Sequence, residues 1–95
     1  MVKHVVMWDI QEGVTESDLM RLKTEIEEIG KSIDEVVSLV YNINPFPSSS
    51  ARVMLESTHE SYDDLMTYIN HPLHKAFGQK NRNYVTNRKS FDYEY

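Results

Sequence analysis

The sequence predicts an α+β domain in which strands and helical regions follow one another in the order β-α-β-β-α-β. Two patterns lead to this prediction. Some segments alternate apolar and polar residues, as strands do, and others repeat apolar residues every three or four positions, as helices do. The length agrees, because 95 residues suffice for one domain but not for two. We therefore expect a single domain spanning residues 1–95.

The first predicted strand is Val2–Ile10, which is rich in β-branched and apolar residues and is followed by a polar turn. Successive side chains of a strand point to opposite faces. One face of this strand carries Val2, His4, Val6, Trp8 and Ile10. The other face carries Val5 and Met7. Because both faces are mainly apolar, we expect helices to cover one of them and a second sheet to cover the other.

The first predicted helix begins at Thr15, because Asp18 follows three residues later in a capping arrangement. Apolar residues then recur at helical spacing, at Leu19, Leu22, Ile26 and Ile29. We expect Gly30 and Lys31 to end this helix, since glycine tolerates the left-handed conformation that often follows a helix.

Two further strands are predicted in the middle of the chain. Alternation over Ile33–Ile43 indicates a long second strand, and Ala51–Ser57 indicates a third. The segment NPFPSSS between them cannot extend a ladder of hydrogen bonds, because it contains two prolines and three serines, and it therefore predicts a loop. Strands that are neighbours in sequence usually pair, so we expect an antiparallel hairpin.

The last third of the chain predicts a helical region and a final strand. Helical spacing covers Ser61–Asn70, and Pro72 is suited to be the first residue of another short helix. Alternation over Lys89–Tyr95 places three aromatic residues on one face of the last strand, namely Phe91, Tyr93 and Tyr95. The complete order is that of a ferredoxin-like fold with a four-stranded antiparallel sheet.

Composition limits the classes of function. The chain contains no cysteine, which excludes disulfides, thiolate metal sites and thiol nucleophiles and favours a reducing, cytoplasmic location. The N-terminal apolar run is too short to span a membrane. The net charge of −5 argues against nucleic-acid binding. Five of the ten basic residues nevertheless lie between residues 74 and 91, where acidic residues are absent, so this segment forms either a solvated surface or a local anion site.

Three segments resemble one known family. The opening VKHVVMWDI, the central YINHPLHKAF and the final FDYEY are similar, in this order and at these separations, to the stress-responsive A/B-barrel (Dabb) domain family. The resemblance implies a homodimer in which the sheets of two copies pack face to face to form a dimeric α+β barrel. Members of the family differ in function, and include stress-induced plant proteins, a polyketide cyclase and bacterial proteins without an assigned activity.

The resemblance to the polyketide cyclase points to specific residues. In that enzyme a histidine on the third strand acts together with the second histidine of an HPxH segment and with tyrosines. His74 matches the second histidine of the segment, and Tyr68 matches the tyrosine that precedes it. Val53 stands at the position of the third-strand histidine, and valine can neither accept nor donate a proton. This difference argues against the same cyclisation mechanism.

The residues themselves suggest a pocket. His4 shares a strand face with Trp8, and His74 lies on the helix expected to close over that face. Convergence of the two would create a cavity containing imidazoles, whose pKa suits proton transfer near neutral pH. Trp8, Val53 and Phe77 are candidates to line this cavity as ligand-binding residues. The alternative is that each histidine is a hydrogen-bonded structural residue.

No cofactor is predicted. The chain has only three glycines and carries no glycine-rich phosphate loop or dinucleotide fingerprint. The HPLH segment offers two imidazoles, His71 and His74, but no third metal ligand accompanies them in a recognisable motif. We therefore predict no metal site.

Three hypotheses about function follow. The first is an uncharacterised dimeric barrel, connected with stress or with binding of a small apolar ligand, which predicts a filled or small interior. The second is a cofactor-independent enzyme acting on a small aromatic or polyketide-like substrate, with His74 as acid or base, Tyr68 as orienting residue and His4 in support. It predicts an open cavity at which these three side chains meet. The third is a binder of small anions that uses Lys80 and Arg82.

Overall fold

The computed structural model describes residues 1–95 and contains four strands and three helices. The elements are β1 (Val2–Ile10), α1 (Glu16–Ser32), β2 (Ser38–Asn42), β3 (Val53–His59), α2 (Tyr62–Ile69), α3 (Pro72–Asn81) and β4 (Val85–Glu94). Helices α2 and α3 together form the second helical region. The predicted β-α-β-β-α-β order is therefore confirmed.

The four strands form one antiparallel sheet in the order β2-β3-β1-β4. Strands β1 and β3 are central, whereas β2 and β4 lie at the edges. The register places His4 of β1 opposite Ser57 of β3 on one side and opposite Asp92 of β4 on the other. This is the predicted ferredoxin-like fold, and it brings side chains from the two ends of the chain together.

The helices cover one face of the sheet and bury the core against it. The main core cluster consists of Val6, Trp8, Leu19, Leu22, Ile26, Tyr41, Ile43, Val53, Leu55, Phe77 and Val85. A smaller cluster beside α2 consists of Val2, Ile33, Leu65 and Tyr68. Removal of these apolar side chains from water is the main driving force for folding.

The opposite face of the sheet is open in the single chain. Its apolar residues include Met7, Val40, Phe91 and Tyr93, which are between 38% and 67% exposed. The expectation that both faces of β1 are covered therefore holds within one chain only for the face that packs against the helices. An exposed apolar surface on a small domain commonly marks an interface with another protein.

Helix α1 begins as predicted but ends differently. The Thr15 backbone N–H donates to the Asp18 carboxylate at 2.9 Å, and the Asp18 N–H donates to the Thr15 hydroxyl at 3.2 Å, which completes the capping box. The prediction that Gly30 ends the helix is wrong, because the helix continues to Ser32. Gly30 has another role: a Cβ at this position would lie 3.0 Å from the Leu39 Cβ, so glycine allows β2 to pack closely against α1.

The strand boundaries also differ from the predictions. Strand β2 covers Ser38–Asn42 rather than Ile33–Ile43, because the chain turns after α1 before it joins the sheet. Strand β3 runs two residues further than predicted, to His59, and β4 begins at Val85 rather than at Lys89. After the buried Val85, the first half of β4 is polar, and backbone pairing with β1 rather than an apolar pattern holds it in the sheet.

A β-bulge interrupts the pairing of β1 with β4. Met7 pairs with Lys89 and Asp9 pairs with Thr86, so β4 contains one extra residue in this stretch. Asn87 adopts a positive φ of 53° there, and its side-chain amide donates to the Asp9 carboxylate at 3.0 Å. Asparagine is one of the few residues that adopt this conformation readily.

None of the three helices is both long enough and apolar enough to cross a lipid bilayer.

Candidate functional site

A cavity of about 320 Å³ lies between the sheet and the helices. Its apolar lining comprises Val6, Trp8, Leu55, Ile69 and Phe77. Its polar lining comprises His4, His74, Asn81, Arg82 and Arg88, and Gly78 completes the wall. The volume lies at the lower end of the range for pockets that bind small organic molecules. A larger and more open depression, of about 640 Å³, follows the segment 42–54, but it contains no histidine.

His74 enters the cavity from the first turn of α3. Pro72 occupies the start of this helix, and the His71 ring caps it by accepting a hydrogen bond from the Leu73 N–H at 3.1 Å. Because His71 is used as the cap, only the second histidine of the HPLH segment reaches the cavity. Burial, followed by the nearby charges of His4, Arg88 and His71, lowers the pKa of His74 to about 4. The ring is therefore neutral near neutral pH and can accept a proton.

Tyr68 packs directly behind His74. The two ring centroids are 4.4 Å apart, and the Tyr68 centroid is 6.3 Å from that of His4. Tyr68 is fully buried, and burial raises the pKa of its hydroxyl, so the group stays protonated. The Tyr68 hydroxyl and Nδ1 of His74 are the two buried side-chain polar atoms without a hydrogen-bond partner in the chain. Such atoms are costly in a folded protein and are frequent at functional sites.

His4 is held by a carboxylate. Its Nδ1 lies 2.5 Å from Oδ1 of Asp92, its cross-strand neighbour on β4. Because a carboxylate accepts, Nδ1 carries the proton and donates it, which leaves Nε2 for interaction with a ligand. A histidine oriented by a carboxylate is a common arrangement in acid–base catalysis. The sequence did not identify Asp92 as a partner, since the register of β4 against β1 is not readable from the pattern alone.

Asn81 presents an oriented amide to the cavity. The Tyr41 hydroxyl donates to Oδ1 of Asn81 at 2.8 Å, and both side chains are buried. With its oxygen engaged in this way, the amide directs its N–H groups to other partners. Asn81 can therefore donate a hydrogen bond to a carbonyl or an anionic oxygen in the cavity.

A further buried histidine, His59, was not predicted as part of the site. Its Nδ1 donates to the backbone oxygen of Glu35 at 2.7 Å, so its Nε2 accepts from the Ser57 hydroxyl at 2.8 Å. Burial lowers the pKa of His59 and keeps the ring neutral. The ring lies 5.2 Å from that of Tyr68 and does not line the cavity. Extending the alternation of β3 by two residues would have placed His59 on this face.

The structure brings most of the predicted residues together. His4, His74, Trp8 and Phe77 line the cavity, and Tyr68 contacts two of them from behind. Val53 does not line it: this residue is buried opposite Trp8 on β3 and borders the depression along segment 42–54. No group of three or more histidine, aspartate or glutamate side chains is arranged to hold a metal ion.

Solved structures from several organisms share this fold. A protein from Bacteroides fragilis, described as dimeric, of unknown function and ferredoxin-like, is 23% identical over 99% of this chain and 95% of its own, with a TM-score of 0.79. An Arabidopsis thaliana protein is 21% identical over 100% and 95% of the two chains, with a TM-score of 0.88. The hydroxynitrile lyase of Passiflora edulis is 13% identical over 97% and 90%, with a TM-score of 0.83.

At these identities the similarity extends to the fold alone, and no curated protein sequence matches the chain significantly. The sequence model of the stress responsive A/B barrel (Dabb) domain family matches residues 2–95, which is nearly the whole chain. The chain therefore belongs to the stress responsive A/B barrel domain family.

Proposed function

We propose that this protein is a cofactor-independent enzyme that moves a proton on a small aromatic or polyketide-like substrate bound in the cavity. The observation that supports the proposal most strongly is the meeting of His4 and His74 at an otherwise largely apolar cavity, with Tyr68 packed against both. A cavity with a few convergent polar groups and a perturbed pKa is the usual form of an active site.

In this proposal His74 acts as the general base. Its neutral ring accepts a proton from a carbon next to a carbonyl group, and an enolate forms on the substrate. A pKa of about 4 keeps the ring in its basic form at neutral pH, but it also makes the ring a weak base. The reaction therefore depends on stabilising the enolate oxygen, and we assign this role to the Asn81 amide, which is part of the cavity lining.

His4 and Tyr68 support this step. His4, oriented by Asp92, exchanges protons with the substrate or with water through its Nε2. Tyr68 is fully buried and does not line the cavity, so it acts as a positioning residue that fixes the His74 ring. One protein with this fold, the Passiflora edulis hydroxynitrile lyase, is an enzyme, which supports a catalytic use of this architecture.

A second candidate function is binding of a small apolar ligand without catalysis. Val53 favours it, because this residue replaces the third-strand histidine expected from the resemblance to the polyketide cyclase. The cavity and its apolar lining are common to both candidates. The two differ only in whether the bound molecule exchanges a proton.

We also propose that two copies associate through the open faces of their sheets. These faces carry the exposed apolar residues Met7, Val40, Phe91 and Tyr93. Three of the similar structures are described as dimeric, which supports a homodimer. Face-to-face packing would cover this apolar surface and leave the cavity, on the opposite face of each sheet, outside the interface.

Hydrogen–deuterium exchange on a model substrate tests the catalytic proposal. Phenylacetone is a suitable neutral probe, because its CH₂ group lies between an aromatic ring and a carbonyl. We expect the protein to accelerate exchange of this group in D₂O, measured by proton NMR, above the rate in buffer. His74→Gln should reduce the acceleration by about 100-fold or more, since general acid–base catalysis contributes a factor of that order.

Lys75→Gln is the matched control. Lys75 is exposed on the same helix and does not line the cavity, so its loss should leave the exchange rate unchanged. Tyr68→Phe should give an intermediate rate and a changed pH profile, as expected of a positioning residue. Equal exchange with wild type and His74→Gln would refute the catalytic proposal. Binding of phenylacetone without exchange would favour the second candidate.

A further inference from the structure

Two arginines of the cavity have no acidic partner. Arg82 and Arg88 both line the cavity, and neither forms an ion pair or a side-chain hydrogen bond within the chain. Lys80, which the sequence grouped with Arg82, is used differently: its ammonium group binds Glu25 at 2.8 Å outside the cavity. Of the basic residues between positions 74 and 91, only Arg82 and Arg88 line the cavity and remain candidates for an anion site.

The charge of the cavity is opposite to that of the protein. The chain has a net charge of −5, yet none of the eleven lining residues is acidic. Apart from the two histidines, the ionisable groups of the lining are the guanidinium groups of Arg82 and Arg88, which are both positive. A positively charged cavity in a negatively charged protein attracts anionic ligands selectively, because the low-dielectric walls of the cavity focus its electric field.

The β-bulge at Asn87 determines the position of Arg88. Val85 is buried in the core beneath the helices, and Arg88 lines the cavity on the same side of the sheet. In a regular strand, residues three positions apart point to opposite faces. Val85 and Arg88 are three positions apart but lie on the same side of the sheet, because the extra residue of the bulge shifts the alternation of β4 by one position. The bulge thus directs Arg88 to the cavity.

From this arrangement we infer that the ligand is a small carboxylate with an apolar or aromatic body, whose carboxylate is bound by Arg88 and Arg82. The inference rests on the proposed function, since it assigns the class of substrate to the same cavity. Guanidinium groups bind carboxylates through paired hydrogen bonds, which fix orientation as well as charge. The Asn81 amide adds a neutral donor beside them.

The remaining lining fits the rest of such a ligand. Trp8 and Phe77 provide aromatic surface, and Val6, Leu55 and Ile69 provide aliphatic surface. The volume of about 320 Å³ suits a body of about one aromatic ring with a short side chain. The Arg88 charge also disfavours the protonated form of His74, and a bound carboxylate would offset that effect.

The test compares an acid with its neutral amide. Phenylacetate and phenylacetamide have nearly the same shape and differ in charge. Trp8 is the only tryptophan of the chain and lines the cavity, so its fluorescence reports binding of either molecule. We expect phenylacetate to bind about tenfold more tightly or better, and we expect this preference to weaken in about 1 M salt.

Arg88→Gln should remove most of the preference for the acid, and Arg82→Gln should reduce it. Lys75→Gln changes the net charge equally but lies outside the cavity, so it should preserve the preference. Equal affinity for the two probes in the wild type would overturn the inference while leaving the proposed function intact. The same loss with Lys75→Gln as with Arg88→Gln would also overturn it. If neither probe changed the Trp8 signal although the wild type accelerated exchange of phenylacetone, the inference would fail and the proposed function would stand.

Discussion

At the scale of single residues, the surroundings of a side chain differ even between residues of one type. The four histidines illustrate this point. His71 caps a helix, His59 is buried in a structural hydrogen-bond pair, His4 is held by Asp92, and His74 is neutral at the cavity wall. The sequence identified His4 and His74 as candidates, but it could not show which partners they have, because these partners come from distant parts of the chain.

Two histidines whose pKa is lowered in the folded chain, His59 and His74, lead to a prediction about acid stability. Burial lowers the pKa of His74 to about 4 and also lowers that of His59, whereas an unfolded histidine titrates near 6.5. Between these values the unfolded state takes up protons that the folded state does not. The contribution of these two histidines to stability is thus complete above about pH 6.5 and decreases as the pH falls toward about 4.

Urea denaturation at about pH 7 and about pH 5 checks this expectation. The free energy of unfolding of the wild type should be lower at the more acidic pH. The free energy of unfolding of His74→Gln should fall by less over the same interval, since glutamine does not titrate. The interpretation is wrong if wild type and His74→Gln lose the same stability over this interval.

At the scale of elements, the sequence predicted the order of strands and helices because periodicity is a local signal. The boundaries were less predictable. The first half of β4 is polar except for Val85, and its pairing with β1 specifies it. Strand β3 continues to His59 although its apolar pattern has stopped. The bulge at Asn87, which directs Arg88 into the cavity, depends on the register of two strands from opposite ends of the chain.

The two helical glycines make contrasting predictions. Gly30→Ala would place a methyl group 3.0 Å from the Leu39 Cβ, an atom that can move only with its strand. The cost of such overpacking, about 1–3 kcal/mol, should outweigh the gain of about 1 kcal/mol from the higher helix propensity of alanine. We therefore expect Gly30→Ala to lower the free energy of unfolding.

Gly78→Ala provides the control for helix propensity. A Cβ at Gly78 would meet no atom within 4 Å, so this substitution should raise the free energy of unfolding by about 0.5–1 kcal/mol. Chemical denaturation of both variants measures the difference. An increase in stability of similar size in both would contradict the close packing of α1 against β2.

At the scale of the whole molecule, the sheet has two faces with different uses. One face and the helices enclose the cavity, and the other is open and apolar. The alternation of β1 predicted both apolar faces. It could not show that the second remains uncovered within one chain, because a pattern does not distinguish burial by the same chain from burial by a partner.

A charge on the open face should prevent association. Phe91 is 67% exposed on this face, and in a symmetric dimer Phe91→Glu would place two buried negative charges in the interface. We expect native mass spectrometry to show a dimer for wild type and a monomer for Phe91→Glu. Tyr62→Glu is a matched control, since Tyr62 is 60% exposed but lies on α2. A dimer that persists in Phe91→Glu would argue against sheet-to-sheet packing.

The cavity beside His4 and His74 is the proposed binding site for a ligand. The most direct test is an NMR titration of histidine-labelled protein with phenylacetone, because the four imidazoles report on four different places in the molecule. His4 and His74 line the cavity, whereas His59 and His71 do not. We predict large, saturable shifts of His4 and His74 and much smaller shifts of the other two. If saturating ligand left the signals of His4 and His74 unchanged, the cavity would not be the binding site.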